Sequence, residues 1–237
     1  MEIKKGTVVG WNNQTNSLIV ISKDDQRRIE IEQSEFSIYE MLSPSGVPFE
    51  LSFLMGKEIY FTQLENKKYS RKAVMSYTMS TLKIGDIFQA TVISLPSRNA
   101  FLEYKGCFFH CGAKEISRSH VKSSAEYFRI GQKINVKLLS KDSSTQYPEV
   151  SYKQAYSDSL ENYHTGDYCV AKVSNENTAM QAYFMEVTPV VPGLLDFRCC
   201  PRSILPLSHG DIVCCKVKNV SKSGLRLHGI YIVRRAK

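Results

Sequence analysis

The fold of this chain is decided by a stretch near its middle, Leu82-Lys83-Ile84-Gly85-Asp86-Ile87-Phe88-Gln89-Ala90-Thr91-Val92. A related stretch occurs at Tyr163–Val173, and both place Gly-Asp before an alternating run that ends in Ala-x-Val. Gly6-Thr7-Val8 resembles the same strand without the leading Gly-Asp. Because the copies lie about eighty residues apart, the chain is expected to consist of three repeated structural units.

A second landmark recurs inside each unit, where a glycine precedes a run of alternating apolar and polar residues. These runs are Gly56–Phe61, Gly131–Lys137 and Gly210–Val217, and their period of two predicts half-buried strands. Helical signal is scarce, and the best candidate spans Ala113 to Phe128 without a clean apolar stripe. About five short strands per unit fit a small closed barrel of the OB type.

The sequence therefore predicts an all-β protein of three tandem five-stranded OB-fold barrels. We expect these domains to span 1–78, 79–157 and 158–237. Two short polar segments, Met75 to Ser80 and Gln154 to Ser159, are predicted to be the linkers between them.

Composition limits the class of protein. No apolar run approaches the roughly 20 residues of a membrane helix, and no signal peptide follows Met1, so we expect a cytoplasmic protein without membrane contact. The sequence leaves the oligomeric state open, and a monomer is the working expectation. The seven cysteines lack the two-residue spacing common in zinc sites, and most are expected to be buried as small apolar residues. We expect neither a metal nor another cofactor.

The formal net charge is +8, which favours an anionic partner. Counted from the sequence, residues 1–78 balance to zero, residues 79–157 carry a charge of +5 and residues 158–237 carry +3. The two later units thus hold the basic excess that attracts phosphates through counterion release.

The middle unit, residues 82 to 153, resembles the S1-type RNA-binding domain, which is named for the bacterial ribosomal protein. The matching stretches, in the order of the domain, are Ile84-Gly85-Asp86, Asn99–Tyr104, Phe109-His110, Glu126–Gln132, Val136–Leu139 and Asp142. The resemblance is weaker over residues 160 to 230 and weakest over residues 3 to 74.

The resemblance implies an RNA-binding face on the middle barrel. Carried over by position, its stacking aromatic is Phe101, its histidine is His110 and its aspartate is Asp142. An earlier aromatic position holds Arg98, and the family's arginine position holds Gln146 or Tyr147.

Strand alternation adds to this face and extends it. Phe101, Phe108 and His110 are expected to form an exposed aromatic platform if Leu102 and Phe109 fill the core. In the third unit, Tyr183 stands where Phe101 does, and Asp196 takes the place of His110. The full predicted RNA-binding set is Arg98, Phe101, Lys105, Phe108, His110, Asp142, Tyr183 and Arg198.

The leading hypothesis is a protein that holds single-stranded RNA and acts on messenger RNA or in translation, with the ribosome as a candidate partner. One alternative is a protein-interaction module that docks on the ribosome or another complex, and another is a single-stranded DNA binder. We expect no enzymatic activity, because the chain shows no phosphate-binding glycine loop, metal-spaced histidine pair or nucleophile motif.

Overall fold

The computed structural model describes residues 1–38, 51–141 and 147–236, except the side chains of residues 52 and 53. The chain divides into two compact units. The first contains residues 1–96, 100–111 and 128–150, and the second contains residues 97–99, 112–127 and 151–237. The predicted domain boundaries at residues 78/79 and 157/158 stay a prediction.

The prediction of three five-stranded OB-fold barrels is confirmed. The first sheet has the strand order β3-β2-β1-β4-β5 and is nearly closed, since its edge strands approach each other. Its strands are β1 (Lys4–Asn12), β2 (Ser17–Ser22), β3 (Arg28–Glu32), β4 (Glu58–Gln63) and β5 (Tyr69–Ser70).

The other two sheets are closed barrels with equivalent strand orders, β10-β8-β7-β6-β9 and β11-β12-β13-β15-β14. The middle barrel contains β6 (Ile87–Ser94), β7 (Ala100–Tyr104), β8 (Cys107–Cys111), β9 (Lys133–Ser140) and β10 (Glu149–Ser151). The third contains β11 (Tyr168–Asn177), β12 (Ala182–Thr188), β13 (Val191–Asp196), β14 (Ile212–Ser221) and β15 (Gly224–Arg234).

Three α-helices lie among the described residues, together with several short 3-10 turns. They are α1 (Leu51–Leu54), α2 (Lys72–Thr81) and α3 (Ala113–Ile116). Within the described ranges, no helix is long and apolar enough to cross a membrane, and no cluster of three or more His, Cys, Asp or Glu could hold a metal ion.

The repeated Gly-Asp pair builds the same turn in two barrels. Gly85 has a φ of +95° and Gly166 a φ of +103°, a left-handed conformation that glycine adopts without a steric penalty. The Asp86 carboxylate accepts a hydrogen bond from the backbone N–H of Lys83 at 2.8 Å, and Asp167 accepts one from His164 at 2.6 Å. This turn sets the start of the first strand, which explains why the pair is repeated in the sequence.

The first strand of each sheet pairs with two neighbours, and each contains a bulge. The irregularities fall between Val8 and Gly10, between Val92 and Ser94, and between Val173 and Asn175. A bulge increases local twist and bends the strand, which lets one strand pair with one neighbour along its first half and with another along its second. In all three strands the bulge directly follows the valine that ends the repeated run, at Val8, Val92 and Val173.

The segment Met75 to Ser80, predicted to be a linker, instead belongs to helix α2. Val74, Met75 and Thr78 are buried along one face of this helix, while Ser76 and Ser80, which make the segment look polar, are exposed. Ser70, which lies two residues before the start of α2, accepts a hydrogen bond from the backbone N–H of Ala73 at 2.9 Å. The prediction was wrong because a half-buried helix and a linker have similar composition.

The residue before α2, Arg71, is fully buried and joins the first sheet to the middle barrel within the first unit. Its guanidinium donates hydrogen bonds to the carbonyl oxygens of Phe36 at 3.0 Å and of Gly106 at 2.8 Å. The same group lies 5.1 Å from the ring centroids of both Phe36 and Phe108. Hydrogen bonds and cation–π contacts together offset the cost of burying this charge.

The segment between β8 and β9 is not the long helix predicted from Ala113 to Phe128. Only α3 and a 3-10 turn at Ser124–Glu126 are helical. In the second unit this segment packs on the third barrel through Glu186, which is 7% exposed. The Glu186 carboxylate accepts hydrogen bonds from the hydroxyl groups of Ser117 at 2.5 Å and Tyr127 at 2.6 Å. Tertiary polar contacts thus take the place of helical hydrogen bonds.

Replacement of the buried arginine tests its structural role. We expect Arg71→Met to lower the free energy of unfolding by roughly 2–4 kcal/mol, because two carbonyl oxygens lose charged donors. Urea denaturation followed by fluorescence of Trp11, which packs against Phe36 at 6.1 Å, measures the change. The matched control is Lys72→Met at the exposed neighbouring residue, and equal stability of the two variants would contradict the assigned role.

Candidate nucleic-acid interface

Phe101 and His110 form a pair of adjacent rings on the outer face of the middle barrel. They are direct cross-strand partners on β7 and β8, and their ring centroids lie 5.4 Å apart at 48°. Both side chains are half-buried, whereas Leu102 and Phe109, which point the other way, are fully buried in the barrel. Alternation along the strands thus places these two rings on the outer face of the barrel rather than in its core.

The surroundings of His110 favour the neutral form of its imidazole. Burial lowers its pKa from the ordinary value of 6.5, and Glu149, its partner on the parallel strand β10, opposes this only in part. A neutral imidazole can stack against a base without the cost of desolvating a cation. The arrangement therefore provides a stacking ring rather than a charge at this position.

Phe108 lies on the same outer face but is 2% exposed, so the prediction that it belongs to an exposed platform is wrong. The first sheet covers it, and its ring packs against Arg71 and, at 6.4 Å, against Tyr147. Tyr147 is also buried, at 2% exposed, and meets the Phe101 ring edge-on at 5.5 Å. Both buried rings join the apolar core that surrounds Phe36, which leaves a narrower open platform than predicted.

Lys105 is exposed, but it lies in the turn at the other end of the β7–β8 hairpin from Phe101. At about 3.4 Å per residue, the two Cα atoms are roughly 13 Å apart. Lys105 places its ammonium 5.2 Å from the centroid of the Tyr104 ring. A nucleic acid that reaches this lysine from the ring pair must therefore run along the hairpin.

Arg98 belongs to the second unit and lines a basic groove there. The groove has a volume of about 620 Å³, and its cationic or imidazole side chains are those of Arg98, Lys114, Arg118, His120 and Lys153. Lys153 is partly neutralised by Glu115 at 3.3 Å. Neither Arg98 nor Arg118 forms a salt bridge with any residue that the structure describes. Free guanidinium groups of this kind are suited to bidentate phosphate contacts.

The predicted residues of the third barrel behave differently from those of the middle barrel. Tyr183 is 3% exposed, its ring lies 4.7 Å from that of Phe197, and its hydroxyl accepts a hydrogen bond from the backbone of Leu207. The prediction that Tyr183 lies on an open platform is therefore wrong. Arg198 is exposed, and its Nε lies 3.4 Å from the carboxylate of Asp196.

The error at Tyr183 has a simple origin in strand register. In the middle barrel Phe101 pairs with His110, but in the third barrel Asp196 pairs with Ala182 and Tyr183 pairs with Leu195. The superposition by sequence was off by one residue, and a shift of one residue turns a side chain to the opposite face. Asp142 and Gln146 lie outside the described residues.

Sequence reasoning missed several groups around these sites. Arg71 entered the sequence analysis only through the net charge, because a single arginine between two barrels gives no sequence signal that it is buried. Four members of the basic groove were not grouped with Arg98. Lys114, Arg118 and His120 lie in the segment that was assigned to a helix, and Lys153 lies far from that segment in the sequence. A search for Lys, Arg and His in non-helical segments next to the β6–β7 loop would have found them.

Comparison with known proteins confirms the resemblance of the middle barrel. The family model of the S1 RNA binding domain matches residues 81–153. This range begins just before β6 and contains the whole closed middle barrel, including Phe101 and His110. The three successive OB-fold sheets are consistent with a tandem arrangement of such domains.

Curated bacterial proteins also resemble this chain. The small ribosomal subunit protein bS1 homolog of Bacillus cereus is 32% identical over 146 residues, covering 60% of this chain and 36% of that protein. The small ribosomal subunit protein bS1 of Staphylococcus saprophyticus is 27% identical over 158 residues, covering 63% of this chain and 40% of that protein. The chain thus spans less than half the length of these relatives.

A solved structure of a multidomain protein with nucleic acid binding domains, from Streptococcus pneumoniae, aligns with 97% of this chain and 73% of its own. The sequence identity is 10% and the TM-score is 0.30, and nothing about this chain is inferred from this likeness.

Stability as a function of pH tests the environment of Glu103, which lies on β7 two residues after Phe101. Burial raises the pKa of Glu103, while a hydrogen bond of 2.6 Å from the backbone N–H of Gly106 and the charge of Arg71 lower it in part. Because the folded protein binds this proton more tightly than the unfolded chain, its contribution to stability is full below the ordinary pKa of 4.5 and is lost as the pH rises through the folded pKa.

We therefore expect Glu103→Gln to stabilise the protein at pH 7 relative to wild type and to have little effect at pH 4. Urea midpoints of both proteins across this range measure the difference. A constant difference at all pH values would contradict the raised pKa.

Proposed function

We propose that this chain binds single-stranded RNA and that the Phe101–His110 pair of the middle barrel is the stacking site. Two observations on the same barrel support this proposal best. The S1 RNA binding domain match covers the middle barrel, and this barrel presents two adjacent, half-buried rings on its outer face. Single-stranded RNA offers unstacked bases, and rings of this kind bind them.

Base stacking and electrostatic attraction to the phosphates would both contribute to the free energy of RNA binding. Each base stacked on an aromatic ring contributes roughly 1–3 kcal/mol, and this contribution depends little on sequence. The net charge of +8 adds a salt-dependent attraction to the phosphates. Since Phe108 and Tyr147 are covered, two rings rather than four are open, which predicts moderate affinity and low base preference.

The biological setting that we propose is translation or the handling of messenger RNA in the cytoplasm, with the ribosome as a candidate partner. This part rests on the relatives, which are ribosomal proteins. The proposed function is binding rather than catalysis, and the proposed site requires no metal or cofactor.

A specific observation favours a second candidate, a protein-docking module. The outer face of the middle barrel already packs against protein, because the first sheet covers Phe108 and Tyr147. OB-fold barrels of this kind can therefore use the same face for a polypeptide. A single-stranded DNA binder differs from the main proposal only in the sugar, and the 2′-hydroxyl group is the feature that distinguishes the two ligands.

Titration of a fluorescein-labelled oligo(U) RNA with the whole chain tests the proposal. We expect wild type to bind, added salt to weaken binding, and Phe101→Ala/His110→Ala to raise the Kd at least about tenfold, because two stacking contacts are lost. The matched control is Ile84→Ala/Ile87→Ala, which removes two exposed apolar side chains from the same barrel and should leave the Kd unchanged.

Two results would overturn this account in different ways. If wild type does not bind oligo(U) at low salt, the RNA-binding function fails and protein docking becomes the leading candidate. If the double variant binds as well as wild type, RNA binding stands but the ring pair is not its site. Tighter binding of oligo(dU) than of oligo(U) would favour the DNA alternative.

A further inference from the structure

The third barrel presents a second exposed set of rings, on a face different from the one where the resemblance places the RNA site. Strands β11, β14 and β15 lie side by side, and their register sets two rows of outward-facing residues. One row is Tyr168, Lys216 and His228, and the other is Val170, Cys214 and Tyr231, of which Cys214 is buried. We call these six residues the third-barrel face.

The exposure of this face is unusual for large side chains. Tyr168 is 69% exposed, Tyr231 is 56% exposed and Val170 is 51% exposed. Scattered exposed apolar residues are ordinary, but here three of them lie on the two strands that flank β14, namely β11 and β15. By contrast, the strands β12 and β13 bury Tyr183 and leave only Phe184, at 38% exposed, as an open ring.

Lys216 is the one residue of the third-barrel face with a formal charge at neutral pH, and further cations lie on the same strands. Strands β14 and β15 contain no Asp or Glu, and they carry Lys216, Lys218, Arg226 and Arg234. No carboxylate among the described residues lies within salt-bridge distance of Lys216 or Arg226. The ammonium of Lys216 lies 5.7 Å from the centroid of the Tyr168 ring. Unpaired cations next to open rings are what a stacked nucleic acid strand requires.

We infer that the third-barrel face is a second contact surface for single-stranded RNA. This inference rests on the proposed function and extends it to a face that neither the sequence motifs nor the family match indicates. Tyr168 and Tyr231 provide stacking rings for two different bases, and Lys216 between their strands contacts the intervening phosphate. The two rings are separated by two strand spacings, about 10 Å across the sheet, so one base cannot bridge them.

The observations favour RNA over a protein partner. A protein interface that covers this face and Arg226, which lies two residues before His228 on β15, would bury the unpaired charges of Lys216 and Arg226. The six residues of the face include no carboxylate to compensate these charges. A phosphate backbone neutralises both charges and leaves the bases free to stack. The row that alternates ring, ammonium and imidazole fits a polyanion with planar groups better than it fits an apolar peptide.

Titration of the whole chain with a fluorescein-labelled oligo(U) tests the inference. The RNA should be about 30 nucleotides long, because one OB fold occupies roughly 4–16 nucleotides and two surfaces must be reached. We expect Tyr168→Ala/Tyr231→Ala to raise the Kd about five- to tenfold. Lys216→Ala should lower the slope of log Kd against log salt by about 1, as expected for one lost phosphate contact.

Matched variants separate this surface from the rest of the chain. Tyr77→Ala/Tyr156→Ala removes two other exposed tyrosines, at 55% and 42% exposed, and should leave the Kd unchanged. Lys216→Glu keeps the rings and should weaken binding even if the tyrosine double variant proves unstable. Ultraviolet crosslinking of bound RNA should label peptides that contain Tyr168 or Tyr231 in wild type.

The outcomes distinguish failure of the proposed RNA-binding function from failure of the inference about the third-barrel face. If wild type does not bind RNA, the proposed function fails, and the inference fails with it. If wild type binds and Phe101→Ala/His110→Ala weakens binding, but the Tyr168, Tyr231 and Lys216 variants bind normally, only the inference is overturned. In that case the exposed rings are left as a surface for a protein partner.

Discussion

The buried guanidinium of Arg71 is the interaction on which the first unit depends. It lies 5.1 Å from the ring centroids of both Phe36 and Phe108, and it donates hydrogen bonds to the carbonyl oxygen of Phe36, which follows the 3-10 turn after β3, and to that of Gly106 in the β7–β8 turn. A buried charge tolerates little displacement, because each lost hydrogen bond leaves it poorly solvated. The first sheet and the middle barrel are therefore held in one defined arrangement, and the face of the middle barrel that carries Phe108 is closed by it.

The packing of the first sheet against the middle barrel determines which rings of the predicted platform are left open for RNA. Phe101 and His110 lie at the open side, while Phe108 and Tyr147 belong to the core that the first sheet completes. The chain thus uses one barrel face for two purposes, part for protein packing and part for the proposed stacking of bases. The third barrel adds exposed rings on another face, so the proposed RNA contacts do not repeat from barrel to barrel even though the strands do.

The sequence predicts those features that depend on local chemistry. The Gly-Asp turn at Gly85 and Gly166 and the alternation at Leu102 and Phe109 gave the barrels and the inward and outward faces, because turn geometry and strand period are local properties. The coverage of Phe108 and the burial of Arg71 depend on contacts between distant segments. Tyr183 was misplaced by a single residue of register, and α2 was taken for a linker because its exposed faces are as polar as a loop. These features could not be read from one sequence.

The most direct test of the account distinguishes the open rings from the covered rings. Aromatic side-chain NMR signals of the whole chain, labelled at Phe, Tyr and His, would be recorded during addition of unlabelled oligo(U). The account predicts that the signals of Phe101 and His110 shift and saturate, while those of Phe108 and Tyr147 stay in place. Equal shifts of Phe108 and Tyr147 would show that the first sheet opens to admit RNA. Unchanged signals of Phe101 and His110 in a protein that binds RNA would contradict the proposed stacking site.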